Sequence, residues 1–508
     1  MFDEIVVGAG SSGAVVAARL SEDPGRRVLL IEAGPDYPDR VGTPGSLLDG
    51  RRPAFDHDWG FTAEMVPGRA VPYPRGKVIG GCSSVNSCLA LRGVPADYEE
   101  WVALGNPAWS WADMLPHFIA IEDDPRMVGS LHGIGGPVPI RRYGEAELLP
   151  FQAAFDAACR ASGFAVCADH NAPAGSGVGP GPCNIDGQGV RISTALGYLG
   201  PARARPNLTI RSGCLVDRVL LEGTRAVGVA VECEGVRETI RGRRVTLSGG
   251  AIGTPAILLR SGIGPADELR ELGIEPRLAC DGVGRNLVDH AQLTIGWNAA
   301  PELVDPTAPL FQVILRHTAA GSRVANDMQV IALQAQVPPE LRLVATLVKP
   351  HSVGALRLRA ADASAPPDIR LNLASHPEDI RRLRESVRLL GRLAGAASLR
   401  GIGAHSLVVN DGEGIPAERF VELAGQDAWV DAFIHGAVRH YVHPVGTARM
   451  GPAGDPGAVV DQHGRVHGLA ALRVADASIM PTVPRANTHL TCVVIGERVA
   501  GWMRQQAD

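Results

Sequence analysis

Ile5-Val6-Val7-Gly8-Ala9-Gly10-Ser11-Ser12-Gly13, continued by Ala14–Leu20, Arg27–Ile31 and Glu32, is the stretch that decides the fold. Three branched apolar residues read as a buried strand, Ala14–Leu20 as a helix and Arg27–Ile31 as a second strand, so the chain opens with a βαβ unit. The glycines fit G-x-G-x-x-G between strand and helix, where the backbone turns tightly and a pyrophosphate can approach the helix N-terminus. Gly8, Gly10, Ser12 and Gly13 are therefore candidate nucleotide contacts. Glu32, 19 residues after Gly13, is placed to accept hydrogen bonds from a ribose hydroxyl. The pattern implies a bound dinucleotide and does not by itself separate FAD from NAD.

Working outward, 508 residues exceed what one core usually organises, and 45% apolar residues suffice for two. A formal charge of −5, with no basic run interleaved with aromatics, argues against nucleic acid as a partner. No apolar stretch approaches the roughly 20 residues of a membrane helix, so no membrane span is expected. The opening Met-Phe-Asp-Glu runs directly into the first strand and does not resemble a secretory signal. Nine cysteines without C-x-x-C pairs suggest reduced thiols and a cytoplasmic location.

Residues 35–75 show little periodicity and read as a long covering loop, and the Gly/Pro-rich 164–190 as a domain crossing or lid. Leu208–Leu247 reads as a small β-meander, followed by a helix over about Thr254–Ser261. Short alternating runs then appear at Leu293–Trp297, Met328–Gln334, Leu343–Leu347, Ala355–Arg359 and His405–Val409, with helical spacing in Pro377–Ala394 and around Glu418–Phe433. This predicts an antiparallel sheet backed by helices. The end of the chain offers a strand at Leu472–Val474 and a helix from about Thr491 to Met503. The expected division is a cofactor domain in three parts (1–150, 191–291, 436–508), a substrate domain at 292–435, and a substrate-domain segment or lid at 151–190.

Pro74-Arg75-Gly76-Lys77-Val78-Ile79-Gly80-Gly81-Cys82-Ser83-Ser84-Val85-Asn86 resembles one signature of the glucose–methanol–choline (GMC) oxidoreductases, and Gly250-Ala251-Ile252-Gly253-Thr254-Pro255 through Gly264 resembles the other. Gly282–Leu287 with Asp289-His290, His443-Pro444-Val445-Gly446-Thr447, and Leu472–Ser478 follow in the family's order. The resemblance implies an α/β protein: a Rossmann-like FAD-binding domain with an α+β substrate domain built on a mostly antiparallel six-stranded sheet. It also implies FAD, with Arg75, Gly81, Asn86 and Ala90 near the flavin, Val216 near the adenine, and Asp476 and Ala477 facing the diphosphate and ribityl region. Family members with covalent FAD carry histidine where this chain has Val85, which has no nucleophilic atom, so noncovalent FAD is expected.

Alcohol oxidation needs a base for the hydroxyl proton as hydride leaves the carbinol carbon. By resemblance His443 is that base. The family's second catalytic position, His or Asn, falls on Asn487, 44 residues later and ten before Glu497. Asn487 can orient the substrate oxygen and steady a developing alkoxide. His489 is then expected beside the flavin's pyrimidine edge; the alternative makes His489 catalytic and Asn487 a helix cap. His290 reads as a structural anchor, and Tyr441 as a pocket residue. No spaced metal-ligand set and no Gly-x-Ser-x-Gly elbow is present. The expected partners are a small-molecule alcohol and an acceptor, either oxygen or an unidentified redox partner. A lyase or photodecarboxylase on the same scaffold is the competing expectation.

Overall fold

The protein is described here from a computed structural model covering residues 1–127, 129–298, 305, 307–336, 339–402, 406–409 and 414–505. Strand Phe2–Val7 lies between Val28–Ile31 and Val236–Leu247, all parallel, and Leu208–Arg211 extends the sheet beyond Val28–Ile31. Helix Gly13–Leu20 is almost wholly buried and packs on the C-terminal helix His489–Gln505. Val236–Leu247 serves two pairings: residues 242–247 run parallel to the first strand, while 236–241 pair antiparallel with Arg225–Cys233, which in turn pairs with Cys214–Glu222. Leu472–Val474 closes this seven-stranded sheet in parallel with Val245–Leu247. Val28–Ile31 near its centre is a continuous, fully buried apolar run because both faces are covered there, whereas Cys214–Glu222, Arg225–Cys233 and residues 236–241 leave one face exposed.

The second sheet is antiparallel throughout. Its centre is Ala291–Asn298, Pro339–Leu347, Met328–Gln336 and Val313–His317, with registers such as Gln292↔Thr346 and Ile331↔Val344. Among the described residues the sheet has eight strands where the resemblance implies six, because short edge pieces join: Gly177–Pro180, Ser406–Val409, Gly414–Pro416 and Arg439–His440. His405, which opened one expected run, lies outside the described residues. Helix Pro377–Ala394 backs the sheet with Leu383, Val387 and Leu390 buried.

Several local expectations are corrected. Residues 35–75 include a hairpin, Thr62–Val66 with Arg69–Pro72, in a four-stranded sheet with Ala355–Arg357 and Asp368–Arg370. The charged and small residues there hid a two-residue period. Of the Gly/Pro-rich 164–190, Gly177–Pro180 forms an edge strand of the second sheet, as a substrate-domain segment would, and its glycines let the Ala165–Cys167 backbone approach closely. The helix expected near Glu418–Phe433 breaks into Ala417–Ala424 and Asp427–Ala437 at Gly425-Gln426. The helix after the meander spans Gly250–Arg260. Cys214 and Cys233, opposite each other across two strands, are joined as a disulfide, so two of the nine cysteines are not thiols. They are 19 residues apart in sequence, and only the hairpin register brings them together.

Candidate active site

A cavity of about 1100 Å³ runs from the N-terminus of helix Gly13–Leu20 to the exposed face of the antiparallel sheet. At its first end stand Gly8, Gly10, Ser11, Ser12 and Glu32, together with Val216 of the meander. First-turn N–H groups of a helix lack partners within it, so this end is ready to receive an anion. Gly8 has φ +94°, and a Cβ on it would lie 2.4 Å from Ser248 O. Gly10 has room except towards Gly81, whose own Cβ would meet Gly10 Cα at 2.8 Å. Gly8 therefore serves the fold, and the Gly10–Gly81 pair shapes the channel. Gly13 is absent from the cavity wall: a Cβ there would strike Gly8 O at 1.9 Å, so its role is to let the helix pack on the turn.

Glu32 is buried, and burial raises its pKa against the pull of two backbone donors, Ala9 N at 2.9 Å and Gly34 N at 3.0 Å. Asp476 is saturated: Oδ2 accepts from Gly250 N and Thr254 Oγ1, Oδ1 from Ser478 N and Oγ. It pins the start of helix Gly250–Arg260 and leaves its backbone, with that of Ala477, on the cavity wall. The Ser12 hydroxyl is likewise spent on Cys492 O at 2.7 Å. Asn86 uses Oδ1 on Cys88 N, which leaves its amide hydrogens for a ligand. Ala90 is corrected: it is fully buried, its N–H bonds Pro182 O and its carbonyl Asn171, while its neighbour Leu89 lines the cavity. The one-residue alternation of an extended segment turns Ala90 inward.

At the other end, His443, Asn487 and Tyr441 converge beneath Gln292, Ile331, Leu333 and Arg342 of the sheet. Asn487 Nδ2 lies 3.3 Å from His443 Nε2. His443 Nδ1 lies 3.1 Å from His290 Nδ1, and His443 N donates to Asp289 Oδ1 at 2.9 Å. Asp289 also accepts from the buried Tyr73 hydroxyl at 2.6 Å; burial pushes its pKa up to about 6 despite these donors. Burial, then His290, Arg75 and His440, hold His443 well below the usual histidine range, so its ring is neutral at pH 7. Val442 precedes it at φ +56°, a position β-branched residues avoid, and Arg75 Nη2 grips its carbonyl at 2.7 Å. Arg75 thus holds the loop that carries His443 while its side chain lines the cavity.

His489 stands apart from His443: its Nδ1 meets Ser11 Oγ at 3.3 Å, and burial lowers its pKa to about 4. Asn487, not His489, is the neighbour of His443. Sequence reasoning missed Asp289 and Tyr73, and the sheet residues Gln292, Ile331, Leu333 and Arg342; a one-in-two run on a strand says which residues share a face and not what that face covers. Among the described residues Glu122, Asp124 and His132 cluster closely; Arg92 pairs with Glu122 and Arg142 with Asp124, and both ring nitrogens of His132 are bonded, to Glu122 and Asp169.

Family models of the GMC oxidoreductases match residues 2–292 and 350–496. The chain belongs to the GMC oxidoreductase family. It is 37% identical over 540 residues to 5-(hydroxymethyl)furfural oxidase of Methylovorus sp., covering 100% of this chain and 99% of that one. Among solved structures, pyridoxine 4-oxidase from Mesorbium loti superposes with a TM-score of 0.88 at 29% identity over all of both chains. An FAD-dependent oxidoreductase from Chaetomium thermophilum does so at 0.86 with 26% identity over 99% of each. This GMC enzyme is an FAD-dependent oxidoreductase acting on CH–OH donors, and its residues fit the cofactor. The cavity exceeds an ordinary small-ligand pocket, a helix N-terminus and an acidic side chain stand at the nucleotide end, and His489 Nε2 and Asn487 Oδ1 are buried on the wall without partners. Among the described residues no helix is long and apolar enough to cross a membrane.

Proposed function

We propose that this chain oxidises a small alcohol to a carbonyl, with His443 accepting the hydroxyl proton and Asn487 holding the substrate oxygen. The observation that carries the reading is the neutral His443 ring with Nε2 beside Asn487 Nδ2 on the cavity wall, 3.3 Å apart. An alcohol oxygen on the cavity side, within hydrogen-bond reach of both atoms, gives its proton to Nε2; the O–H pair stays on oxygen as the alkoxide forms, and Asn487 N–H donates to it. FAD, held by the residues named below, would supply the acceptor for the hydride of the carbinol carbon.

Gly8, Gly10, Ser12 and Gly13 would surround or support its diphosphate, Glu32 its ribose, Val216 its adenine, and Asp476 and Ala477 the ribityl region, with Arg75, Gly81, Asn86 and His489 near the ring. Val85 on the wall offers no atom for attachment, so the cofactor is held noncovalently. Precipitation with acid is expected to leave all flavin in the supernatant. The sheet end of the cavity carries Gln292 and Arg342 and, among the described residues, no carboxylate. A quaternary ammonium would find no counter-charge there, so the substrate is neutral or anionic. Oxygen is the proposed acceptor, as the two relatives named as oxidases suggest, and a cytoplasmic location is proposed on the seven free cysteines, against which stands the Cys214–Cys233 disulfide.

The test is anaerobic mixing of the holoenzyme in the dark with primary, secondary, aryl and furanic alcohols, followed by air. Bleaching of the flavin band by one alcohol, with recovery in air, is the expected result. Bound flavin that no alcohol bleaches would overturn the reading in favour of redox-neutral chemistry on the same scaffold.

A further inference from the structure

His290 is wholly buried beneath His443, and its two ring nitrogens have different partners. Nε2 is 3.1 Å from Pro484 O; Nδ1 is 3.1 Å from His443 Nδ1. A carbonyl oxygen can only accept, so Nε2 carries hydrogen. Burial pushes the His290 pKa down to about 4, which leaves one hydrogen on the ring near neutrality. Nδ1 is then bare and can only accept, and the hydrogen between the two Nδ1 atoms belongs to His443. In neutral His443 the remaining nitrogen, Nε2, has its lone pair free on the side of Asn487 and the cavity.

We propose that His290 is a positioning residue that fixes His443 in the Nδ1–H tautomer, so that the proton-accepting atom is the one facing the substrate. The inference rests on His443 being the base. The chain of bonds starts at a backbone carbonyl, which cannot reverse its polarity, and passes through one ring to the next. The backbone reinforces it: Tyr441 N donates to His290 O at 3.1 Å, His443 N donates to Asp289, and the two imidazoles meet edge to face at 86°. A neutral imidazole partner also differs from a carboxylate in its effect on charge. Once Nε2 has taken the proton, the imidazolium donates from Nδ1 to a neutral acceptor and gains no opposite charge from it. Around the pair stand Asp289, Asp97, Arg75, His440 and Lys349, with Tyr441 against the His443 ring. His290 thus keeps His443 a weak base that releases its proton readily.

Three substitutions separate this role from simple packing. In His290→Gln the carboxamide oxygen can accept from His443 Nδ1–H while its NH2 donates to Pro484 O; in His290→Leu neither bond exists; in His290→Glu the acceptor is charged. With histidine-selective ¹⁵N labelling of the holoenzyme, long-range ¹H–¹⁵N spectra assign the tautomer, His443→Asn identifying the resonance. The expected result is hydrogen on Nδ1 and a bare Nε2 in the wild type and His290→Gln, and a tautomer mixture in His290→Leu. Flavin reduction is then measured against pH with the alcohol that bleaches the flavin fastest. His290→Gln should stay within about 10-fold of the wild type, and His290→Leu should lose on the order of 100-fold in kcat with little change in KM. His290→Glu should move the acidic limb of kcat/KM to higher pH. Hydrogen on Nε2 in the wild type, or an unchanged tautomer and rate in His290→Leu, would overturn the proposal. Should His290→Leu fail to fold, the wild-type and His290→Gln spectra still decide it. A His443→Asn variant that reduces flavin at the wild-type rate would instead overturn the reading of His443 as base, whatever the spectra show.

Discussion

Lowering the pH from 8 to 5 should destabilise this protein by an amount the buried histidines set. His170 and His290 are both inaccessible, and burial lowers their pKa values to about 3 and about 4 from 6.5. The unfolded chain therefore binds protons below pH 6.5 that the folded chain refuses, so stability is full above that pH and is lost as pH falls towards the folded values. At pH 5 each histidine costs about 2 kcal/mol relative to pH 8, from about 1.36 kcal/mol per unit of pKa. Asp289 acts oppositely: its folded pKa of about 6 lies above the ordinary 3.8, so below pH 6 it binds a proton in the folded state first. That returns about 1.4 kcal/mol at pH 5. For these three groups the net loss is about 3 kcal/mol, a large part of a typical stability of about 5–15 kcal/mol; His440 and His489, also lowered to about 4, add to it, and Glu4, Glu32 and Asp476, raised by burial, offset part of it. His443, held below the usual range, adds to the loss. The assay is urea unfolding of the holoenzyme at pH 8, 6 and 5, followed by tryptophan and flavin fluorescence, with His170→Gln as the comparison. That variant should lose about 2 kcal/mol less between pH 8 and 5. Equal stability at pH 8 and 5, or an unchanged difference in His170→Gln, would show that these rings are hydrated or already protonated in the folded protein.

Gly8→Ala should lower the thermal midpoint of apoprotein and holoprotein alike, at a cost of about 1–3 kcal/mol, because it forces a left-handed backbone and a Cβ against Ser248 O. Gly10→Ala should leave the apoprotein midpoint within about 2 °C of wild type and weaken FAD in a fluorescence titration by at least about 10-fold, through the cavity wall it shares with Gly81; similar FAD affinities for the two variants would contradict the division of roles. Thiol titration in denaturant should find the seven free cysteines before reduction and all nine afterwards. Nine at the outset would mean Cys214 and Cys233 are not joined.

Local rules made much of this protein legible. Strand, glycine turn, helix and acidic residue lie within residues 5–32, so periodicity and turn chemistry identified the nucleotide end without any distant contact. The spacing of 44 residues from His443 to Asn487 was also visible, and the structure brings the two side chains together. Legibility failed where a residue's role depends on what faces it. Ala90 sits inside a motif and turns its side chain into the core, and Asp476 spends both oxygens on protein donors. The 62–72 hairpin was hidden because its exposed, charged alternation resembles a loop until Arg370 pairs with Glu64.

The sequence by itself determined the dinucleotide half, the family and the pair, His443 and Asn487, that the structure brings side by side, because these depend on short-range conformation and fixed motif order. Only the tertiary structure decided which nitrogen of His443 faces the cavity, that Asp289, itself bonded by Tyr73, holds its backbone, and that Cys214 meets Cys233. Those facts depend on contacts 154, 216 and 19 residues apart in the chain, made when sheets and loops close on one another, and no local propensity encodes such distances.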